Sequence, residues 1–188
     1  REPVKGHRFL RREDSLATPV EGYDFNTVLC QANGILNVGD ETRIYHGRWR
    51  NVGGQNLDEV LKYYSGEVAL ATIPRDRWGG YSLIPDFNDG SICTTAIEVP
   101  QDGFDIVLNA DVTHGIRSEL VDESFHPVAG FSGDDAGTCD VENGLDCPIR
   151  WKNDIASLTG KTVRLLLHVA RQESTTPSIY AVYWRPTV

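Results

Sequence analysis

Five side chains in the first third of the sequence have the types that recognise polar, ring-shaped ligands. They are two planar amides, an imidazole, a guanidinium and an indole: Gln31, Asn33, His46, Arg48 and Trp49. Planar polar groups offer hydrogen bonds in fixed directions, and an indole face contacts the apolar side of a pyranose ring. Small sets of placed polar groups are typical of ligand sites. We therefore predict that these residues bind carbohydrate.

Two β-rich runs carry these residues and predict a hairpin. Residues 28–38 precede a Gly39-Asp40 turn, and residues 41–49 follow it. A short turn of this kind between two strand-like runs favours antiparallel pairing. The polar groups are thereby gathered at one end of the hairpin.

The expected pairing places Gln31 near Arg48 and Asn33 near His46, because the residues of an unbroken antiparallel ladder pair symmetrically about the turn. A structural alternative stays open at this point. In that alternative Arg48 pairs with a nearby acid, and Trp49 packs between neighbouring elements rather than facing a ligand.

An acidic loop in the second half is a second candidate site, for a cation. Calcium takes several oxygen ligands, and the loop offers Asp134, Asp135, Asp140, Glu142 and Asp146. The spacing lacks the glycine and the terminal glutamate of an EF-hand loop. An ordinary solvated loop fits the pattern better, so we expect no cofactor, with Ca²⁺ as the alternative.

Nucleophilic catalysis has little support in the sequence. No Gly-x-Ser-x-Gly motif is present, and the histidines are scattered along the chain. His168 lies in a strongly apolar run, which predicts a hydrogen-bonded structural residue, and His114 and His126 lie at turns.

The four cysteines lack the spacing of a zinc site. Cys139 and Cys147 flank a loop rich in Asp, Gly and Asn, which suits a short disulfide, although sequence alone leaves the connectivity open. Cys30 and Cys93 lie in apolar runs, where buried thiols are an equal alternative.

The remaining pattern predicts an all-β protein with one helix. Residues 56–64 favour a helix capped by Asn56, and residues 67–73 form a third strand. Further short strands follow at regular spacing, with turn signals between them, at 79–84, 91–99, 105–112, 115–122, 147–152, 162–170 and 178–184. This spacing is typical of a β-sandwich.

The charge and the apolar content of the sequence argue against two classes of partner, nucleic acids and membranes. The 188 residues carry a net charge of −9, which repels phosphate backbones and argues against nucleic acid. No apolar run approaches the ~20 residues of a membrane helix. The sequence begins at Arg1 and contains no methionine, so we expect a processed piece of a longer, secreted or periplasmic protein.

Several segments, in order, resemble one family. Residues 33–49 and 67–72 are similar to the last blade of five-bladed β-propeller glycoside hydrolases, the group resembling families 32 and 43. Pro74-Arg-Asp-Arg-Trp-Gly79 resembles the line that leads into their C-terminal sandwich. The similarity to the sandwich itself lies in residues 90–95, 108–111, 127–131, 149–152 and 158–165. Together the resemblance spans about residues 28–184.

This resemblance implies a remnant of propeller-like blades over residues 1–77 and a C-terminal, jelly-roll-like β-sandwich over residues 78–188. It also implies hydrolysis of glycosidic bonds by carboxylates, one ionised and one protonated. In the family these acids come from earlier blades. We therefore assign no catalytic residue here and expect activity only together with the remainder of the parent chain.

Two alternatives of other classes remain: a non-catalytic carbohydrate-binding module and a purely structural domain. The aromatic residues of the sandwich offer a stacking platform to a binding module, although such residues in strands more often fill the core. They are Tyr81, Phe104, Tyr180, Tyr183 and Trp184.

Overall fold

The computed structural model describes residues 9–53 and 57–186, with side chains at all of these except positions 32, 33, 57 and 59. The chain divides into two compact units, unit 1 (Arg1–Arg75) and unit 2 (Asp76–Val188). Strands dominate both units, so the prediction of an all-β protein is confirmed. No helix in the described ranges combines the length and the apolarity that crossing a membrane requires.

Unit 1 contains a three-stranded antiparallel meander. The strands β1 (Thr27–Val38) and β2 (Glu41–Arg50) form the predicted hairpin. A short helix, α1 (Leu57–Tyr63), precedes β3 (Ser65–Pro74), which pairs with the other edge of β2. The predicted cap of this helix, Asn56, lies outside the described residues.

A β-bulge in β1 changes the register that we predicted for the hairpin. Pairing follows the prediction from the turn as far as Gly34, and the register then shifts between Gly34 and Gln31. As a result Gln31 pairs with His46, and Leu29 pairs with Arg48. The predicted partners are therefore wrong by two residues, because a bulge adds residues to one strand only.

Unit 2 is a β-sandwich of two antiparallel sheets. Within the described range its strands are β4 (Tyr81–Ser82), β5 (Asp89–Cys93), β6 (Ile97–Glu98), β7 (Phe104–Asp111), β8 (Ile116–Val121), β9 (Thr138–Cys139), β10 (Asn143–Arg150), β11 (Thr162–Ala170) and β12 (Ser178–Pro186). One sheet has the order β4-β12-β7-β10-β9. In the other, β11 pairs with β5, β6 and β8.

The core of unit 2 lies between these sheets. The odd-numbered residues of β11 from Val163 to Val169 are buried, and they belong to one apolar cluster with Ile106 and Leu108 of β7. Side chains alternate across a strand. The even-numbered residues of β11, including His168, therefore lie on the outer face of their sheet.

Candidate functional site

The five residues predicted to bind carbohydrate do not all converge. His46 and Arg48 lie on one face of the unit 1 sheet and Trp49 on the other, because neighbouring side chains of β2 alternate. The Trp49 ring covers Gly47, where an added Cβ would come within 2.8 Å of the indole nitrogen. Its centroid is 5.4 Å from that of Tyr64. Trp49 therefore packs within unit 1 on the face opposite to His46.

Gln31 shares the face of His46, its ladder partner, and its side chain is exposed. The side chain of Asn33 lies outside the described residues. Of the predicted set, the structure thus brings Gln31, His46 and Arg48 to one face.

Arg48 pairs with an acid, as in the structural alternative. Its Nη2 donates to Glu67 Oε2 at 2.8 Å, and the backbone N–H of Thr18 donates to Glu67 Oε1 at 2.9 Å. The bond from Thr18, together with the bond and charge of Arg48, holds the pKa of Glu67 below its usual range, against a smaller opposing effect of desolvation.

The part of this face around His46 is covered by the segment that contains Ser15 and Ala17. His46 is 4% exposed, and its Nε2 lies 2.7 Å from Ser15 Oγ. The backbone N–H of Ala17 donates to Thr27 Oγ1 at 3.0 Å, which holds the same segment against β1. His46 therefore contacts a segment of unit 1.

Basic side chains lie beside most of the acidic loop residues. Ion pairs join Asp135 to Lys152 at 3.1 Å, Asp140 to Arg150 at 3.4 Å, and Asp146 to Arg185, and His114 Nδ1 lies 3.9 Å from Glu142 Oε1. Among the residues that the structure describes, no group of three or more His, Cys, Asp or Glu is placed to hold a metal ion.

All four cysteines are free thiols, so the disulfide considered for Cys139 and Cys147 is not formed. The Cys139 thiol donates to the carbonyl oxygen of Cys147 at 3.5 Å, and burial raises the pKa of Cys139 to about 12. Cys30 and Cys93 are exposed, so burial was the wrong alternative for them. Both lie on outer faces of their sheets.

Unit 2 carries a groove of about 650 Å³ that sequence reasoning did not find. Ser91, His168 and Arg117 lie in one row across β5, β11 and β8, because each is the direct ladder partner of its neighbour. We call this cavity the polar groove, after the polar members of its lining, which stand beside the apolar Ile116, Val169 and Ala170: Asp89, Ser91, His114, Arg117, Thr138, His168 and Gln172. These groups supply both hydrogen-bond donors and acceptors.

A nearly buried carboxylate contacts two of the groove residues. The side chain of Glu119 is 10% exposed, and its Oε2 lies 3.1 Å from His168 Nε2. Its Oε1 lies 2.8 Å from Arg117 Nη1 and accepts the Gly133 backbone N–H at 3.1 Å. Burial alone would raise the pKa of Glu119, but the bonds from His168 and Gly133 and the charge of Arg117 together hold it below its usual range.

An apolar shelf adjoins the polar groove. Its cavity of about 260 Å³ shares residues 89–91 with the groove. The large side chains that line it are Tyr81, Leu83, Ile84, Phe87, Ile92 and Val169. Tyr81 is 52% exposed and Phe87 is 56% exposed. The groove and the shelf therefore meet at the edge strand β5, where the two cavities share residues 89–91.

The other sandwich aromatics have different surroundings. Phe104 is buried and meets Trp184 edge to face, with centroids 4.8 Å apart. Tyr180 lies under the guanidinium of Arg77 at 4.2 Å. Of the five aromatic residues that we considered from the sequence, Tyr81 is the one that lines the shelf.

The signal for the groove was present but incomplete in the sequence. His168 interrupts an apolar strand, and the prediction that it is hydrogen-bonded is confirmed by its contact with Glu119. Its partners in the row lie about 50 and 80 residues away in the chain. Only the strand pairing brings them together.

Protein-family models, curated proteins and solved structures were compared with the chain, and none of them matches it.

Proposed function

We propose that unit 2 is a non-catalytic carbohydrate-binding module whose ligand occupies the polar groove and the apolar shelf. The observation that carries this proposal is the continuity of the two surfaces through residues 89–91. A sugar ring has hydroxyl groups around its rim and C–H groups on its faces. It therefore needs directional hydrogen-bond partners beside an aromatic surface.

The size of the groove supports an oligosaccharide ligand. A volume of about 650 Å³ falls within the range of roughly 300–1,000 Å³ that small-molecule sites occupy. Arg117 contributes donors only, Asp89 acceptors, and Gln172 both. Hydroxyl groups donate and accept, so a mixed lining of this kind suits them.

Charge favours a sugar over a polyanion. The net charge of −9 repels phosphate groups at long range. Of the groove residues, Arg117 is already paired with Glu119 at 2.8 Å, so its charge is compensated.

Binding without catalysis follows from the state of the carboxylates. Glycoside hydrolysis needs one ionised and one protonated carboxyl group. The lowered pKa of Glu119 keeps it ionised near neutral pH, and its oxygens are already engaged by an ion pair with Arg117 and by hydrogen bonds with Gly133 and His168. Glu119 is not among the residues that line the groove, and Asp89 is the one carboxylate among the lining residues that the structure describes. A single group cannot fill both roles.

A second candidate function is the one implied by the family resemblance, a piece of a propeller-type glycoside hydrolase that needs upstream carboxylates. One observation favours it: the outer face of the unit 1 sheet exposes Val28, Leu36, Val68 and Leu70, as a surface that packs against further chain would. The test compares this chain with a longer parent on a panel of aryl glycosides. Turnover by this chain alone would contradict the hypothesis.

Calorimetric titration of the whole chain with xylo-, cello- and chito-oligosaccharides of one to six units tests the binding proposal. We expect at least one series to bind, and Ser91→Ala and Gln172→Ala each to weaken that binding by about tenfold, the effect of losing one hydrogen bond. Gln101→Ala is the matched control, because Gln101 is exposed and lies outside the groove lining.

Two results would overturn the binding proposal. One is the absence of heat with every oligosaccharide tested. The other is binding that Ser91→Ala and Gln172→Ala leave as strong as the control variant does.

A further inference from the structure

The contact between Glu119 and His168 has a defined proton arrangement. Both oxygens of Glu119 contact neighbouring groups: Oε1 forms an ion pair with Arg117 and accepts the Gly133 N–H, and Oε2 lies against the His168 ring. An ionised carboxylate can only accept hydrogen bonds. The proton of the 3.1 Å contact therefore belongs to Nε2 of His168.

This arrangement determines what the other ring nitrogen offers. A neutral imidazole carries one proton, so a ring that is protonated at Nε2 has an unprotonated Nδ1 that accepts hydrogen bonds. Within the described part of the chain, Nε2 is the only atom of the His168 side chain with a hydrogen bond. The ring lines the polar groove and is about one-third exposed.

We propose that Glu119 is a positioning residue that holds His168 in its Nε2–H form, so that Nδ1 accepts a hydrogen bond from a hydroxyl group of the bound sugar. This inference rests on the proposed carbohydrate-binding function. It adds to that function a specific hydrogen-bond acceptor for ligand hydroxyl groups, placed in the row between Ser91 and Arg117.

The charged and titratable groups around His168 are few. Arg117 and Glu119 face it from β8, Asp89 lies at the end of β5, and His114 lines the same groove. Arg117 can only donate, so it cannot replace Nδ1 as an acceptor. A ligand hydroxyl that donates in this row therefore has two acceptors available, His168 Nδ1 and the Ser91 hydroxyl.

Long-range ¹H–¹⁵N spectra of the uniformly labelled chain, recorded at a pH where the imidazole is neutral, test the proton arrangement directly. We expect the His168 signals of a ring protonated at Nε2 and unprotonated at Nδ1. The Glu119→Gln variant should show a mixture of both forms, because an amide can accept from Nε2–H or donate to Nε2. Glu123→Gln is the control, since Glu123 is exposed and follows the same strand.

The binding readout uses the same variants with xylohexaose and cellohexaose. For the probe that binds, Glu119→Gln should weaken the affinity by about tenfold, whereas Glu123→Gln should leave it unchanged. The spectrum of the unmodified chain needs no substitution, so it decides the proton arrangement even if Glu119→Gln fails to fold.

The outcomes separate the two proposals. A His168 ring with its proton on Nδ1 overturns the positioning role, whatever binds. If Glu119→Gln leaves the affinity unchanged, the proposed hydrogen bond from a sugar hydroxyl to His168 Nδ1 is overturned. If neither hexasaccharide nor any shorter probe binds, the proposed function and the sugar contact fail together, while the nitrogen spectrum still decides the role of Glu119.

Discussion

Replacing Arg77 with alanine is expected to lower the free energy of unfolding of unit 2 by about 2–3 kcal/mol. The guanidinium forms a two-pronged pair with Asp111, both bonds 2.9 Å long, and its Nε donates to Asn109 Oδ1 at 2.9 Å. It also lies over the Tyr180 ring at 4.2 Å. These contacts tie the start of unit 2 to β7 and β12.

The magnitude follows from how far the pair is shielded. Breaking a fully buried ion pair by removing one partner costs about 3–5 kcal/mol. The Arg77 side chain is 19% exposed and that of Asp111 is 32% exposed, so water compensates part of the loss. Asp111 also keeps the hydrogen bond from the Tyr180 hydroxyl at 3.1 Å. Both effects place the cost below the fully buried range.

Urea unfolding followed by tryptophan fluorescence measures this loss. A Trp49→Phe background removes the tryptophan of unit 1 and leaves three in unit 2. Arg150→Ala is the matched control, because Arg150 is 62% exposed and makes one 3.4 Å ion pair. Its loss should stay within about 0.5 kcal/mol.

A double-mutant cycle with Asp111→Asn separates the pair from general effects of truncation. The coupling energy between the two positions should exceed about 1 kcal/mol. An Arg77→Ala loss no larger than that of Arg150→Ala, or a coupling near zero, would refute the reasoning.

Three further outcomes are expected. In the folded chain, a thiol-reactive dye should label the exposed Cys30 and Cys93 quickly, and Cys139 and Cys147 only after unfolding, as followed by absorbance. Fast labelling of all four cysteines would contradict the burial of Cys139 and Cys147. Folding lowers the pKa of Glu119 from its ordinary 4.5, so the stability that its carboxylate contributes is present above that pH and is lost as the pH falls through its lower folded-state pKa. Glu119→Gln should therefore weaken the dependence of the unfolding free energy on pH in the acid range, as measured by urea titrations. An unchanged pH dependence would contradict this expectation. Gly115→Ala should cost about 1–3 kcal/mol in urea unfolding, since its Cβ would come within 2.5 Å of the Ala170 carbonyl oxygen, and a neutral effect would show that the backbone gives way.

Local features of the fold were predictable from the sequence. The glycine of the β1–β2 turn has a left-handed φ of +59°, which explains why Gly39 marks the turn so clearly. The alternation of β11 between buried and partly exposed residues also follows its sequence pattern. Such features depend on neighbouring residues alone.

The predicted site depended on register, and register is not local. The bulge between Gln31 and Gly34 moves the partner of His46 by two residues. Alternation places Trp49 on the face opposite to Arg48. The segment around Ser15, which covers His46, carried no signal of that contact in its sequence.

The polar groove was harder still to predict, because each strand contributes only one or two of its residues. Ser91 and Arg117 look like ordinary exposed residues of β5 and β8 until both strands are paired with β11. Glu119 acquires its role from the same pairing. A site of this kind follows from the sheet order, which no single segment encodes.

A ¹H–¹⁵N chemical-shift titration of the whole chain with xylohexaose and cellohexaose tests the carbohydrate-binding account most directly. We predict that one sugar shifts backbone signals concentrated at residues 89–91, around Arg117 and at Gln172. Shifts concentrated instead around Gln31 and His46 of unit 1, or no shifts with either sugar, would contradict the account.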